Sequence, residues 1–175
     1  MLVSELKKLK LEQKLISIRR SCADDDITGV IELINDEITI ICMYTDDGEY
    51  DGYALFYTKQ IYEVLWGNRE HKAISTLIQK YGNKSPIQIS GESFEDVFNT
   101  LNEEYSSLCI YTDDESQFDI AVVEKQGDNW LKIQTFGPKK SLSSLYKLLK
   151  VNDIGRVDVD SPYQNKIVEL HKNHL

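Results

Sequence analysis

Apolar residues recur along this chain with two different periods, and each period predicts a type of element. Leu2, Leu6 and Leu9 lie at helical spacing with charged residues between them, which predicts a short amphipathic helix at the N-terminus. The apolar runs that follow are rich in β-branched residues and are separated by short polar turns, as is typical of strands. They predict five strands, at 15–20, 27–34, 38–45, 52–58 and 61–66, and then a helix at 69–81.

The same order of elements is predicted a second time in the C-terminal half. A helix at 92–104 is followed by strands at 107–112, 119–125, 130–136, 145–151 and 154–159. Ser161, Pro162 and Gln164 then form the pattern of a capping box at the start of a last helix. A shift of 92 residues, which becomes 93 after the third strand, superposes the apolar positions and turns of the two halves. We interpret the chain as two copies of one unit, residues 1–84 and 85–175.

Residues of the second strand and its hairpin point to a fold family. Gly29 lies in that strand, where a glycine allows a sharp bend because no Cβ obstructs the close backbone approach. Asp36 follows in the hairpin and is matched by Asp128 in the second copy, where Ala121 replaces the glycine. With a helix before five strands, each copy resembles the Sm-like barrel, a branch of the SH3-like barrels.

The resemblance also implies an RNA-reading site, and the chain departs from that pattern. Sm-like proteins read RNA with an asparagine four residues after the hairpin aspartate, but Ile40 and Lys132 stand there in this chain. Their second reading pair precedes the last strand, and neither 58–60 nor 151–153 carries such a pair. The resemblance therefore implies a fold, and RNA binding is left as an alternative function.

We therefore predict a mainly β protein with flanking helices, of the α+β class. It is expected to contain two tandem Sm-like or SH3-like five-stranded barrels, each preceded and followed by a helix. Short barrels leave their fourth and fifth strands able to pair, so the barrels are expected to pack on each other or to continue one sheet edge to edge. The same strand edges are expected to support a homo-oligomer.

The charge of the chain narrows the class of partner. The 175 residues carry a formal net charge of -9, and both halves are acidic. An acidic surface repels phosphate backbones and steers a basic protein partner toward it. The N-terminus lacks the apolar core of a signal peptide, and no apolar run approaches the roughly 18 residues of a membrane span. We expect a cytoplasmic protein that does not enter a membrane.

Acidic loops and nearby tyrosines are the candidate partner-binding residues. Tyrosine gives a large contact area at low entropic cost, and the loop acids supply the charge that a basic partner requires. The motif Tyr-Thr-Asp-Asp occurs at 44–47 and 111–114, although the repeat does not superpose the two occurrences. The candidates are Asp46, Asp47, Glu49, Tyr50, Asp51, Tyr57, Asp113 and Asp114.

These acids do not complete a catalytic or metal-binding motif. Residues 47–52 begin a calcium-loop pattern, but Thr58 stands where the closing glutamate is required. The acidic runs at 24–26 and 113–115 are predicted in exposed turns, where carboxyl groups are seldom desolvated for acid–base work. The three cysteines are not at metal-ligand spacing. We expect no cofactor, no bound metal and no enzymatic activity.

Two functions remain as hypotheses. The first is a non-catalytic protein-interaction module, such as an immunity or inhibitor protein or an adaptor, that binds a basic partner. The alternative is an Sm-like RNA-binding protein with a diverged RNA site, which requires a locally basic patch. The candidate RNA contacts are Arg19, Arg20, Lys139 and Lys140.

Overall fold

A computed structural model describes residues 1–112, 115, 117–137 and 144–174 of the chain. The helices are α1 (Leu2–Leu11), α2 (Arg69–Tyr81), α3 (Phe94–Glu104) and α4 (Pro162–His174). The strands of the first half are β1 (Ile16–Arg20), β2 (Ile27–Ile34), β3 (Ile38–Tyr44), β4 (Tyr50–Tyr57) and β5 (Ile61–Trp66). Those of the second half are β6 (Leu108–Thr112), β7 (Phe118–Gly127), β8 (Trp130–Thr135), β9 (Tyr146–Lys150) and β10 (Ile154–Val159).

All ten strands belong to one open antiparallel sheet. Their order is β5-β1-β2-β3-β4-β10-β6-β7-β8-β9, so each half follows the same sequence of last, first, second, third and fourth strand. The predicted α+β class, mainly β with flanking helices, is confirmed. None of the helices in the described residues is both long enough and apolar enough to cross a membrane.

The irregularities of the sheet recur at the spacing of the sequence repeat. The register of β2 against β3 shifts between Ile31 and Leu33, and that of β7 against β8 shifts between Val123 and Lys125, which lie 92 residues later. A second irregularity, in the pairing of each first strand with the fifth, also recurs. Such bulges bend and twist a strand, so the two halves share their local distortions as well as their strand order.

Gly29 lies where β2 and β3 approach each other closely. A Cβ placed on Gly29 would lie 2.1 Å from the backbone oxygen of Cys42 in β3, a distance that no side chain can tolerate. The glycine thus permits the close approach for which it was singled out in the sequence. Ala121, which lies 92 residues later in β7, is completely buried.

The halves meet where β4 pairs with β10, and the sheet continues across this junction. Leu55 of β4 lies opposite Val157 of β10, and both side chains belong to one core cluster that also includes the buried face of α3. Tyr57 stacks on Phe94, the first residue of α3, with 4.3 Å between the ring centroids. The first half thereby contributes directly to the core of the second. Edge-to-edge continuation was one of the two arrangements expected from the sequence.

Side-chain caps begin α2 and α4, and the capping box predicted for α4 forms only in part. Asn68 accepts a hydrogen bond from the backbone nitrogen of His71 at 2.7 Å, and Ser161 accepts one from the backbone of Gln164 at 3.1 Å. The reciprocal bond of the predicted capping box is replaced, because the Gln164 amide donates to the carbonyl and hydroxyl oxygens of Ser107 at 2.7 and 2.8 Å. Ser107 immediately precedes β6, so the Gln164 side chain attaches α4 to the sheet. It therefore does not cap the first turn of its own helix.

Candidate functional site

A polar cleft opens on the sheet close to the junction of the two halves. Its volume is about 580 Å³. Its walls come from the β1–β2 loop and the start of β2, the facing ends of β3 and β4, the facing ends of β6 and β7 with Glu115 between them, and Arg156 of β10. Five carboxyl groups and one guanidinium line it among the described residues. The charged lining residues are Asp24, Asp25, Asp26, Asp51, Glu115 and Arg156.

The inner end of the cleft is an ion network that joins the halves. Glu115 accepts two hydrogen bonds from the guanidinium of Arg20, at 2.5 and 2.7 Å, and lies 3.7 Å from that of Arg156. The side chains of Arg20 and Glu115 are 0% and 4% exposed. Because removing one member of a buried ion pair leaves an uncompensated charge, Glu115 is required to hold both arginines in this arrangement.

A second buried carboxylate completes this network. Asp158 binds Arg156 through both of its oxygens, at 2.7 and 2.6 Å. Burial raises the pKa of Asp158, although the neighbouring guanidinium acts in the opposite direction. Burial lowers the pKa of Arg156, but the charge and hydrogen bonds of Asp158 outweigh it, so that the pKa is raised. Two guanidinium groups and two carboxyl groups therefore balance one another, and the excess charge of the cleft lies on its rim.

The rim carries carboxyl groups that no such network neutralises. Asp24 and Asp25 are exposed in the β1–β2 loop, and Asp51 is half-buried at the start of β4. Burial raises the pKa of Asp51, and the charge of Asp158 raises it further. No ion pair within the described part of the chain involves Asp51. A cation brought into the cleft would therefore stabilise its ionised form.

One wall of the cleft is aromatic. The rings of Tyr111 and Phe118 lie 5.2 Å apart, and the Phe118 side chain remains 44% exposed. The guanidinium of Arg156 lies over the Tyr111 ring at 4.5 Å from its centroid. Lysine and arginine bury their hydrocarbon stems on apolar surface while their charged ends stay hydrated or paired. An aromatic wall beside carboxyl groups suits both parts of such a side chain.

The structure distributes the predicted partner-binding residues over several environments. Asp51 lines the cleft, whereas Asp46, Asp47 and Glu49 are exposed on the loop between β3 and β4. Tyr50 is half-buried, and its hydroxyl donates to Asp160 at 2.9 Å. Tyr57 is half-buried in its stack on Phe94, so both tyrosines make contacts inside the molecule. Asp113 and Asp114 lie outside the described residues.

The two arginines considered for RNA binding are engaged within the protein. Arg19 contacts Asp26 at 3.0 Å and Glu63 at 2.5 Å. Arg20 is only 1% exposed, because its guanidinium is enclosed with Glu115, so it cannot serve as a surface contact in this structure. Lys139 and Lys140 lie outside the described residues.

Several cleft residues were not identified from the sequence as binding residues. The acids at 24–26 are predicted from the sequence to lie in an exposed turn and are considered there only for acid–base work. No pattern in the sequence assigns Tyr111, Glu115 or Arg156 to binding. The sequence repeat gave one indication of where the cleft residues lie, because the β1–β2 and β6–β7 loops occupy equivalent places in the two copies. The pairing of Arg20 with Glu115, which lies 95 residues away, leaves no local trace in the sequence.

Neither a metal-binding group of side chains, nor a reactive thiol at Cys22, nor a similar known protein points to a competing site among the described residues. Among the described residues, no group of three or more histidine, cysteine, aspartate or glutamate side chains is arranged to hold a metal ion. Burial, followed by the charge of Glu115, raises the pKa of the Cys22 thiol, which disfavours the nucleophilic thiolate. No protein-family model, curated protein or solved structure matches the chain. The acidic cleft is therefore the candidate site.

Proposed function

We propose that the protein is a non-catalytic interaction module that holds a basic segment of a protein partner in the acidic cleft. Five carboxyl groups line the cleft among the described residues, and two of them are paired, Asp26 with Arg19 and Glu115 with Arg20. The observation that carries this proposal is that the other three, those of Asp24, Asp25 and Asp51, have no ion-pair partner within the described part of the chain. The guanidinium of Arg156, which also lines the cleft, is already paired with Asp158. A lysine or arginine side chain of the partner supplies the missing positive charge.

The cleft suits such a side chain in depth as well as in charge. Asp24 and Asp25 meet the approaching cation at the rim, and Asp51 pairs with it further in. Tyr111 and Phe118 contact its hydrocarbon stem. The net charge of -9 increases the rate at which a basic partner arrives, and this effect weakens as salt is added. An immunity or inhibitor protein that neutralises a basic toxin, or an adaptor with a basic target, would work in this way.

We further propose that the halves, residues 1–84 and 85–175, are two Sm-like units. The recurrent strand order and the recurrent bulges support this interpretation. The close approach at Gly29 supports a sharp bend in the first unit. In this arrangement the cleft forms because one unit adds its β10 to the β4 edge of the other, which brings loops of both units to one place.

Affinity capture from the native cell with matched variants tests the proposed function. Asp24→Asn with Asp25→Asn removes two rim charges. Glu103→Gln with Glu104→Gln removes two charges from exposed positions of α3 that do not line the cleft. We expect a basic protein to be captured by the wild type and by the α3 variant, and to be lost with the rim variant.

Ribonuclease treatment separates the alternative function from this one. A protein partner held directly in the cleft is retained after ribonuclease treatment. Recovery of RNA that survives mutation of the rim, or capture that disappears with ribonuclease, would support the RNA-binding alternative and contradict the proposal. Equal loss of the partner with the rim and α3 variants would show that general acidity, and not the cleft, is responsible.

A further inference from the structure

The neighbouring strands β8 and β9 present one set of side chains to solvent. Alternate residues of a strand share a face, and residues paired across neighbouring strands lie side by side. We call the resulting surface the β8–β9 face, and it consists of Trp130, Lys132, Gln134, Tyr146, Leu148 and Lys150. Trp130, Tyr146 and Leu148 are 42%, 59% and 65% exposed. An exposed patch of large apolar side chains is typical of an interaction site.

The first half contains the equivalent face, and there it is covered. The two faces match residue for residue, because these pairs of β3 with β4 recur in β8 and β9, with a shift of 92 residues on the first strand and 93 on the second. In the first half the six side chains belong to, or pack against, the core cluster to which α3 contributes its apolar face. They are Ile38, Ile40, Cys42, Tyr53, Leu55 and Tyr57.

An amphipathic helix provides this cover in the first half. Phe94, the first residue of α3, stacks on Tyr57 with 4.3 Å between the ring centroids. Val97, Phe98 and Leu101 of α3 are buried in the same cluster. No helix of the described residues covers the β8–β9 face in this way, because its apolar members remain exposed. The repeat therefore points to a helix as the occupant of the β8–β9 face.

The β8–β9 face differs from its covered equivalent in carrying positive charge. Lys132 and Lys150 belong to it, and Lys125 of β7 lies opposite Lys132. Glu124 pairs with Lys132 at 2.7 Å, so the positive charge is only partly neutralised. In a chain whose net charge is -9, this face is locally basic. Charge complementarity therefore favours an acidic partner.

Charge also argues against a second copy of the chain as the occupant. The repeat equivalent of α3 is α1, which carries three lysines and one glutamate. α3 carries four acidic residues and no basic one. On the β8–β9 face, α1 would bring lysines against lysines, whereas a helix as acidic as α3 would bring carboxylates against them.

We propose that the β8–β9 face binds an acidic amphipathic helix of a protein partner. The apolar stripe of that helix packs on Trp130, Tyr146 and Leu148, and large aromatic side chains of this kind often dominate the binding energy. Acidic residues beside the stripe pair with Lys132 and Lys150. The Nζ atoms of these lysines lie 4.6 and 5.8 Å from the centroids of the Tyr146 and Trp130 rings respectively, so the charges are interleaved with the apolar surface. No residue of this face lines the acidic cleft, so the proposal is independent of the proposed function.

The first half also indicates the direction of the partner helix. The Glu37 carboxylate accepts a hydrogen bond from the backbone nitrogen of Phe94 at 2.8 Å, at the N-terminus of α3. Asn129 stands 92 residues after Glu37, and an amide oxygen is likewise an acceptor for a helix N-terminus. We therefore expect the partner helix to begin near Asn129, with an acidic residue of its first turn beside Lys150.

The test uses the full chain and two labelled peptides that have sequences of the chain itself. The acidic probe is residues 92–105, which contain α3, and the basic probe is residues 1–12, which contain α1. Binding is measured by fluorescence anisotropy over a wide range of protein concentration, because isolated helices this short are marginal in water and ordering them weakens binding.

Two double variants alter the β8–β9 face, and each has a matched control. Trp130→Ala with Leu148→Ser removes apolar contacts, and its control is Tyr62→Ala with Leu11→Ser, two exposed residues outside the face. Lys132→Glu with Lys150→Glu reverses the charge, and its control is Lys72→Glu with Lys80→Glu on the exposed side of α2. Far-ultraviolet circular dichroism checks that all four variants are folded.

We expect the acidic probe to bind the wild type and both controls, and the basic probe to bind far more weakly. The loss of apolar contacts should weaken binding of the acidic probe by about tenfold, and the charge reversal should abolish it. An acidic probe that does not bind the wild type, or that binds the face variants and the wild type equally, would overturn the proposal. So would equal weakening by the controls, and so would tighter binding of the basic probe, which would identify a second copy as the occupant.

Discussion

Glu115 links two arginines that belong to different halves of the chain, and its loss should be costly. Replacing Glu115 with glutamine leaves the buried guanidinium of Arg20 without a charged partner. Breaking a buried ion pair in this way typically destabilises a protein by several kcal/mol, and we expect the free energy of unfolding to fall by about 3 kcal/mol. Denaturant unfolding followed by circular dichroism measures the change.

Glu124→Gln is the control for this prediction. Glu124 pairs with Lys132 at 2.7 Å on the exposed surface of the sheet, with side chains 33% and 46% exposed. Exposed pairs of this kind contribute little because water and salt screen them. We expect no measurable change in its unfolding midpoint. Equal stability of the two variants would contradict the structural role given to the Arg20–Glu115 pair.

His71 should make the stability of the protein depend on pH. Its ring nitrogen Nε2 lies 3.0 Å from the hydroxyl of Ser17, and burial lowers its pKa below the ordinary value of 6.5. The unfolded chain then binds a proton more readily than the folded one. The contribution of the neutral His71 to the free energy of unfolding is therefore fully present above about pH 6.5, and it declines as the pH falls below that value.

His71→Gln should remove this contribution. Glutamine is a suitable replacement because Gln164 occupies the equivalent position of the second copy and is buried there. The measurement is the free energy of unfolding of both proteins between pH 5 and pH 8. We expect the loss of stability on acidification to be smaller in the variant, and parallel curves for the two proteins would exclude His71 as the responsible group.

Among the elements, β2 depends on the absence of a side chain at Gly29. A methyl group there would meet the backbone oxygen of Cys42, so that β2 and β3 would have to separate. Overpacking of this kind typically costs about 2 kcal/mol, which is the expected loss in unfolding free energy for Gly29→Ala.

Gly127→Ala is the matched change in the second copy, because no atom lies within 4 Å of a Cβ at Gly127. We expect it to leave stability nearly unchanged. If both alanine variants unfold at the same denaturant concentration, the close approach of β2 and β3 is not a constraint on the fold.

The elements also show which parts of the fold the sequence could predict. The apolar periodicity located β2, β5, α2 and β10 at their observed bounds, because one face of each is buried over its length or its ends carry clear turn and cap residues. β4 begins at Tyr50, two residues before its predicted start, since Tyr50 pairs with Tyr44 across the turn. The sequence did not indicate the pairing of Tyr50 with Tyr44, because residues 46–51 form one continuous polar segment, which predicts a loop.

The candidate site was less predictable than the fold. Asp51 was chosen for its place in an acidic loop, and it does line the cleft. Tyr50 and Tyr57 were chosen as exposed aromatics, but contacts to Asp160 and Phe94 place them partly inside the molecule. These contacts join residues from different halves. They result from the pairing of β4 with β10, and no pattern along the chain predicts them.

In the whole molecule, a single sheet brings two like halves together, and the acidic cleft lies near their meeting point. The floor of the cleft is neutral because two guanidinium and two carboxyl groups balance there. Its rim is acidic. We therefore expect binding to depend on where the negative charge is placed, in addition to how much of it the chain carries.

The most direct measurement is the affinity of a fluorescently labelled, lysine-rich peptide at several salt concentrations. It compares the wild type, the variant with Asp24→Asn and Asp25→Asn, and the equally charged variant with Glu103→Gln and Glu104→Gln. We expect binding that weakens with salt, that is reduced several-fold by the rim substitutions, and that is nearly unaffected by the α3 substitutions. Equal weakening of both variants, or no binding by the wild type at low salt, would contradict this expectation.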